Sequence, residues 1–470
     1  MATIRALLFA LVWLSCVWFS SWAMNPNNTT RLFAAMSLVE QGDATIDEYQ
    51  KLTIDKARFG DHYYLDKAPG MTLLALPAIA IADRIQPTPP VIPQTVYNAP
   101  FERYMTLRLR LSVALVTALL TALAAIALHD LAFRLTGSAG GALFASLSFA
   151  LGTTIWGWST TLFGHAPVAS LFVIAVWALW RAGKDADGNR PIRFAALGGA
   201  ALGLAVLIEF QAALSGLVIA IWGAHRLWQA DRRSVAMAAA AGLTILLVPF
   251  VTYNLIAFGT PFRLGYSGVV GFSGMNEGFF GLTVPKPLVL EEILVGQRRG
   301  LLWVAPILFL APIGLWQLGR THRGMARMLG IAAAIVLLIN AAYVYWDGGN
   351  STGPRHSVPA IGLLAIGLAP FWASLRHHWE RTLTGGLLCL SVLLNLWIAA
   401  ADITPSTAYA FPLVDPIFQD WKNGILRTLP SDYFGWSPIA GVSLYVVLAM
   451  PLVLMLLARS TAKDISTVAA

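Results

Sequence analysis

Cysteine, charge and strand-like alternation are all scarce in this chain, and each scarcity removes a class of protein. Only two of its 470 residues are cysteine. Cys16 and Cys389 each lie inside an apolar stretch, which argues against a disulfide framework or metal–thiolate centre and for helix packing. Charged residues make up 12% of the chain and apolar residues 57%, with a mean hydropathy of +0.66; a soluble domain is about a quarter charged. Period-2 alternation is absent, so an outer-membrane barrel is excluded as well. No Walker loop, dinucleotide fingerprint or His/Cys metal cluster occurs. The net charge of +8 sits in short clusters between apolar segments, so membrane topology accounts for it and nucleic acid does not.

What is abundant is apolar sequence in runs of membrane-spanning length, about 20 residues each. Twelve candidate spans can be drawn: 6–23, 104–128, 140–157, 167–180, 194–207, 210–224, 235–256, 300–318, 328–345, 358–373, 383–401 and 439–457. Arg5, the run behind it and Ser21-Trp22-Ala23 have a signal-peptide pattern, but the run is long and many spans follow, so a retained signal anchor is the preferred reading. The basic short loops then fall on one side: Arg134; Arg181, Lys184, Arg190 and Arg193; Arg226, Arg232 and Arg233; Arg320, Arg323 and Arg327; Arg376 and Arg381; Arg459 and Lys463. That side is cytoplasmic by the positive-inside rule. Four denser segments, 25–102, 257–299, 346–357 and 402–438, face the other side, where function is expected. The apolar stretch 69–82 is short and flanked by prolines, and is read as a helix lying at the interface or dipping in from outside.

Segment 25–70 holds the richest chemistry: NPNNTTRLFAAMSLVEQGDATIDEYQKLTIDKARFGDHYYLDKAPG. Asn25-Pro26-Asn27-Asn28 predicts a turn, Thr29/Thr30 the cap of a short helix running through Glu40, and Gly42-Asp43 and Gly60-Asp61 two further bends. A carboxylate held beside the membrane can act as general base while Lys or Arg neutralises a phosphate; a solvated loop with ordinary surface charges is the alternative.

TRLFAAMSLVEQGD followed by HYYLDKAPG resembles the first-loop signature of the GT-C superfamily, membrane glycosyltransferases that use polyprenyl-phosphate sugars, including protein O-mannosyltransferases and lipid A aminoarabinose transferases. Arg31, Asp66 and Lys67 match the motif directly. The resemblance implies that Lys67 contacts the donor phosphate and that Asp66 orients it or binds sugar hydroxyls. The best-known members have an acid just before the Thr-Arg pair; this chain has Asn28, which cannot serve as a base. Asp55 is assigned in its place, with Asp47 next, and Tyr64 as a sugar or acceptor contact. The implied fold is an all-α, polytopic helical bundle with about twelve transmembrane helices and a large first extracytoplasmic loop. Residues 1–470 form a single integral membrane domain, with a GT-C-like catalytic module over 1–256, including the first loop 24–103, and C-terminal helices and outer loops over 257–470.

A second cluster, YVYWDGGNSTGPRHSVP, resembles the Trp-x-Gly-Gly…Gly-x-Arg element of bacterial members of that group. Trp346 offers a sugar-stacking face, Arg355 and His356 supply donors for phosphate or hydroxyls, and Asp347 and His165 are placed as sugar or acceptor contacts. Glu209, between two apolar runs, is read as an edge carboxylate that either supports the structure or lines the site. Tyr253, Asn254, Arg263 and Tyr266 are read as loop docking, and Arg298-Arg299 as side chains snorkelling to headgroups. The expected function is an inverting hexosyl- or pentosyltransferase in a bacterial plasma (inner) membrane, passing a sugar to an extracytoplasmic glycan, lipid or protein. No cofactor is assigned beyond the polyprenyl-phosphate sugar substrate, and metal dependence stays open. The alternatives are a lipid-linked glycan flippase or transporter and a catalytically inactive GT-C-derived scaffold.

Overall fold

The computed structural model describes residues 2–19, 24–87, 94–183 and 191–468; Ser21-Trp22-Ala23, Lys184, Arg190 and the side chain of Lys463 lie outside the described residues. The chain is an all-α bundle whose only strands among those residues form one small hairpin. In order the principal helices are α1 (Ala2–Trp18), α2 (Pro26–Met36), α3 (Gly70–Ile85), α4 (Ala99–Thr136), α5 (Ala139–Ala150), α6 (His165–Arg181), α7 (Pro191–Ile208), α8 (Ala212–Trp228), α9 (Arg232–Phe258), α10 (Pro287–Val295), α11 (Ala311–Thr321), α12 (Arg323–Ala342), α13 (Val358–Ser374), α14 (His378–Ala400) and α15 (Pro438–Val468). Seven of the helices are long and apolar enough to cross a membrane, and α1, α5, α6 and α8 are shorter apolar helices.

Two expected spans are broken. Residues 300–318 divide into Leu301–Val304, a 3-10 turn at Pro306–Leu310 and α11, because Pro306 and Pro312 each lack an amide donor where a continuous helix needs one. Residues 140–157 stop at Ala150 and resume over Ile155–Ser159. Cys16 is buried as expected, whereas Cys389 is exposed on α14 and packs no interior.

Helix α6 is buried along almost its whole length and α13 over most of Val358–Ala369, and the two form the centre of the bundle. Close approach is set by small residues, as membrane helices require: a Cβ on Gly199 of α7 would stand 1.8 Å from the Ala238 carbonyl of α9, and one on Gly203 would stand 2.1 Å from that of Gly242. On the face with the basic loops, Asp130 collects Arg5 (2.6 Å), Arg134 (3.1 Å), Arg181 (2.9 Å) and the Trp177 indole (2.8 Å).

The first loop is not a solvated excursion. Residues Asn27 to Met36 of α2 are all buried. The expected cap is corrected: Asn25, not Thr29/Thr30, accepts from the Asn27 amide (3.0 Å), with Pro26 beside it, so the helix starts earlier. That is the stronger signal, since Asn is a good cap and Pro fits the first turn. A π-turn at Ser37–Gln41 closes the helix, and strands β1 (Ala57–Phe59) and β2 (His62–Tyr64) pair antiparallel across Gly60, whose φ is +62°. Then α3 begins hard against α7, where a Cβ on Gly70 would lie 2.6 Å from the Leu207 carbonyl. This contact brings the loop's last charged residues beside the α7–α8 hairpin.

Candidate active site

The stretch after β2 turns inward and places Lys67 between two carboxylates. Its Nζ lies 2.9 Å from Asp55 Oδ2 and 2.9 Å from Asp66 Oδ2. Asp55 is set by a local turn in which its amide donates to Thr53 Oγ1 (3.1 Å). The other Asp66 oxygen is buried without a hydrogen-bond partner, and burial pushes the Asp66 carboxyl above its ordinary pKa. Burial also works against the Lys67 ammonium, but the charges of Asp55 and then Asp66 outweigh it and hold that group above its usual value.

A second pair comes from elements far apart in sequence. Arg31 Nη2 on α2 meets Glu209 Oε1 at the α7–α8 turn at 2.8 Å. The glycine before α6 makes this pair possible: a Cβ on Gly164 would stand 2.3 Å from Glu209 Oε1 and 2.8 Å from Ile208 Cγ2. Gly164→Ala should therefore displace the Glu209 carboxylate from Arg31 while leaving the helices in place, because the tightest contact is with the mobile end of a side chain. Loss of about 1–3 kcal/mol is expected from the half-broken buried pair, measured as a lowered unfolding midpoint in detergent; an unchanged midpoint and an unchanged Arg31 environment would contradict it.

The third contribution comes from the loop before α13. Arg355 lies with its guanidinium 5.1 Å over the Phe163 ring and has no ion pair among the described residues. Gly348, at φ +73°, packs on its stem, where a Cβ would fall 2.8 Å from Arg355 Cγ; both the conformation and the space require glycine. The His356 ring stands edge-on to His165 (5.1 Å between centroids) and to Tyr343 (5.2 Å).

Asp55, Asp66, Lys67, His165, Glu209, Tyr343, Arg355 and His356 line one cavity of about 100 Å³ together with Asn27, Gln211, Tyr266 and Tyr345. Val269, Phe272 and Met275 add an apolar wall. The segment carrying that wall is tied at one end by the Ala57–Val269 bridge, and at the other by the Leu282–Tyr343 bridge. The ion pairs are unevenly shared: Lys67 pairs with two carboxylates, Arg31 with one, and Arg355 with none among the described residues. Arg355 is thus the cation available to an incoming anion.

Of the residues expected from sequence, Asp55, Asp66, Lys67, His165, Arg355 and His356 come together here, with Arg31 behind them through Glu209. Four do not. Asp47 lies outside the cavity, accepting from the Tyr63 amide (2.7 Å) and pairing with His62 Nδ1 (2.6 Å) on the outer side of the hairpin. Tyr64 packs behind it against Phe258. Trp346 lines a separate groove, and Asp347 is held by Arg298 at 2.9 Å. Lys67, expected on the donor phosphate, lies in the cavity and pairs there with Asp55 and Asp66. Asn28 turns away from the cavity and accepts from the Leu162 amide (3.0 Å). Arg299 does not snorkel: it is fully buried, donating to the carbonyls of Asp347 and Gly349, both at 2.7 Å. Tyr266 lines the cavity where loop docking was expected, and Gln211, Tyr343 and Tyr345 were not singled out at all. A charged residue between two apolar runs was the available signal for Glu209.

No family model matches this sequence, and no curated protein matches it. Solved structures do. ArnT from Cupriavidus metallidurans bound to undecaprenyl phosphate superposes with a TM-score of 0.52 at 17% identity, covering 98% of this chain and 77% of that one. Its apo state gives 0.51 at 15%, covering 96% and 76%. The Archaeoglobus fulgidus oligosaccharyltransferase tethered with an acceptor peptide gives 0.50 at 15%, covering 84% of this chain and 54% of that one. The chain shares the fold of these structures, an all-α bundle with several helices apolar enough to cross a membrane.

Proposed function

We propose that this protein is an inverting glycosyltransferase that takes a sugar from a polyprenyl-phosphate carrier and passes it to an extracytoplasmic acceptor at a bacterial plasma membrane. The observation that carries the reading is a carboxylate, Asp55, and an unmatched cation, Arg355, on the same cavity. Asp55 Oδ1 makes no hydrogen bond among the described residues, so it can take the proton of an acceptor hydroxyl as that oxygen attacks the anomeric carbon. The bond from that carbon to the phosphate oxygen breaks, its electron pair leaves with the phosphate, and Arg355 stabilises the charge. One displacement inverts the anomeric centre.

Purified protein given a labelled polyprenyl-phosphate sugar should release free polyprenyl phosphate. Arg355→Gln should raise the donor KM on the order of 10- to 100-fold, the value of one hydrogen bond to a charged group. Carrier translocation in proteoliposomes without any sugar release would favour the flippase reading instead.

The raised Asp66 pKa gives the site a pH dependence of known sign. While Asp66 keeps its proton, Lys67 faces one negative partner and can share its charge with the donor phosphate. As pH rises through that raised pKa a second negative charge appears beside Lys67, phosphate is repelled and the donor KM climbs. Asp66→Asn holds the neutral form, so its donor KM should stay flat over the range where the wild type's rises; a parallel climb in both would show that another group titrates.

A further inference from the structure

Beside the cavity lies a second, more open recess of about 650 Å³, lined by Leu288, Val289, Glu292, Gln297, Arg298 and Trp346. Its size falls within the about 300–1,000 Å³ of small-molecule sites, which combine apolar walls with a few placed polar groups. Here the apolar part is an indole with the side chains of Leu288, Val289 and Ala410. The polar part is a carboxylate, an amide and a guanidinium.

We propose that this groove binds carbohydrate, holding the sugar units of a saccharide acceptor that lie next to the one receiving the transferred sugar. The inference rests on the glycosyltransferase reading and narrows the acceptor to a glycan. A pyranose has apolar C–H faces and a rim of hydroxyls that both donate and accept. An indole face suits the first. A planar acceptor, a planar donor and an amide that does both suit the second. A lipid chain would offer no partner to the Gln297 amide or to the second Glu292 oxygen, Oε1 already accepting from the Arg299 amide (3.3 Å), which is costly.

Position supports the same conclusion. Tyr345 lines the cavity that holds Asp55, and the next residue, Trp346, lines the groove. One turn of chain therefore separates the two, and it leads directly into Gly348, which packs on Arg355. The groove is also built in advance of any ligand. The Trp346 carbonyl accepts from Asn340 Nδ2 (2.7 Å), Arg298 Nη2 is held by Asp347 (2.9 Å), and Arg299 fastens the carbonyls of Asp347 and Gly349. Such fixed supports keep a site in its binding geometry.

The test uses the full-length protein in detergent and a fluorophore-tagged oligosaccharide fraction released by mild acid from bacterial envelopes, with tagged tryptic peptides of the same envelopes in parallel. Wild type should bind the oligosaccharide fraction, and both Trp346→Ala and the milder Glu292→Gln should bind it at least 10-fold more weakly. Equal binding by wild type and Trp346→Ala overturns the proposal, as does Trp346-dependent binding of the peptides alone. Donor consumption by the wild type is measured in the same preparation. If donor is never consumed yet glycan binding depends on Trp346, the transferase reading fails while the carbohydrate site stands.

Discussion

Asp55→Asn should lower sugar transfer by about 10²- to 10⁴-fold, the usual contribution of a general base, without raising the donor KM. The asparagine keeps the shape of the side chain and an oxygen that can accept from Lys67, so the 2.9 Å contact has a neutral substitute. What disappears is the ability to take a proton. Removing a negative charge from beside Lys67 leaves that ammonium opposed by Asp66 alone, which favours the donor phosphate. The expected signature is thus a collapse of kcat with an unchanged or lower donor KM, the pattern of an interaction made only as the acceptor is deprotonated. A merely structural Asp55 would instead damage KM and thermal stability together. Wild-type kcat in the purified variant would remove Asp55 from the mechanism, and Glu209, whose carboxylate lines the same cavity, would be examined next.

The bundle was legible because a bilayer demands long apolar runs and the chain supplies them between basic turns. The breaks were less so: Pro306 interrupts a run that hydropathy alone reads as continuous. In the site, sequence motifs recovered the residues that are local to one another, Asp66 with Lys67 and Arg355 with His356. They did not separate Asp47 from Asp55, since both are acids in the same charged stretch. The difference is made by the hairpin at Gly60, which puts Asp47 outside with His62 and leaves Asp55 facing Lys67. Nor could spacing reveal that Arg31 is matched by Glu209, 178 positions away. Trp346 and Asp347 were grouped with the residues around them by proximity in sequence, yet the turn presents Tyr345 and Trp346 to different recesses. The charge balance that singles out Arg355 depends on all of these pairings and so appears only in three dimensions.

Arg108→Met should destabilise the fold by about 3–5 kcal/mol, the cost of leaving one member of a buried pair without its partner. Arg108 of α4 is fully buried, and its Nη2 and Nε lie 2.9 and 3.1 Å from Glu40 Oε1. The same oxygen accepts from the Tyr104 hydroxyl at 2.7 Å, and the guanidinium sits 3.3 Å over the Tyr104 ring. Asp83 near the end of α3 is 3.5 Å away. One arginine therefore joins α3, α4 and the π-turn that closes α2. Because Glu40 stands on that turn, releasing it also frees the helix that carries Arg31 into the site, so donor consumption should fall with stability. Methionine fills the volume but leaves the Glu40 charge stranded in a place water does not reach. The double variant Arg108→Met/Glu40→Leu removes both charges and should recover much of the loss, though not all, since the 2.7 Å bond from the Tyr104 hydroxyl to Glu40 is lost with them. Thermal unfolding in detergent, followed by the onset of proteolysis, measures all three. Arg108→Met within about 1 kcal/mol of wild type, where isolated surface ion pairs fall, would mean that this junction does not hold the first loop.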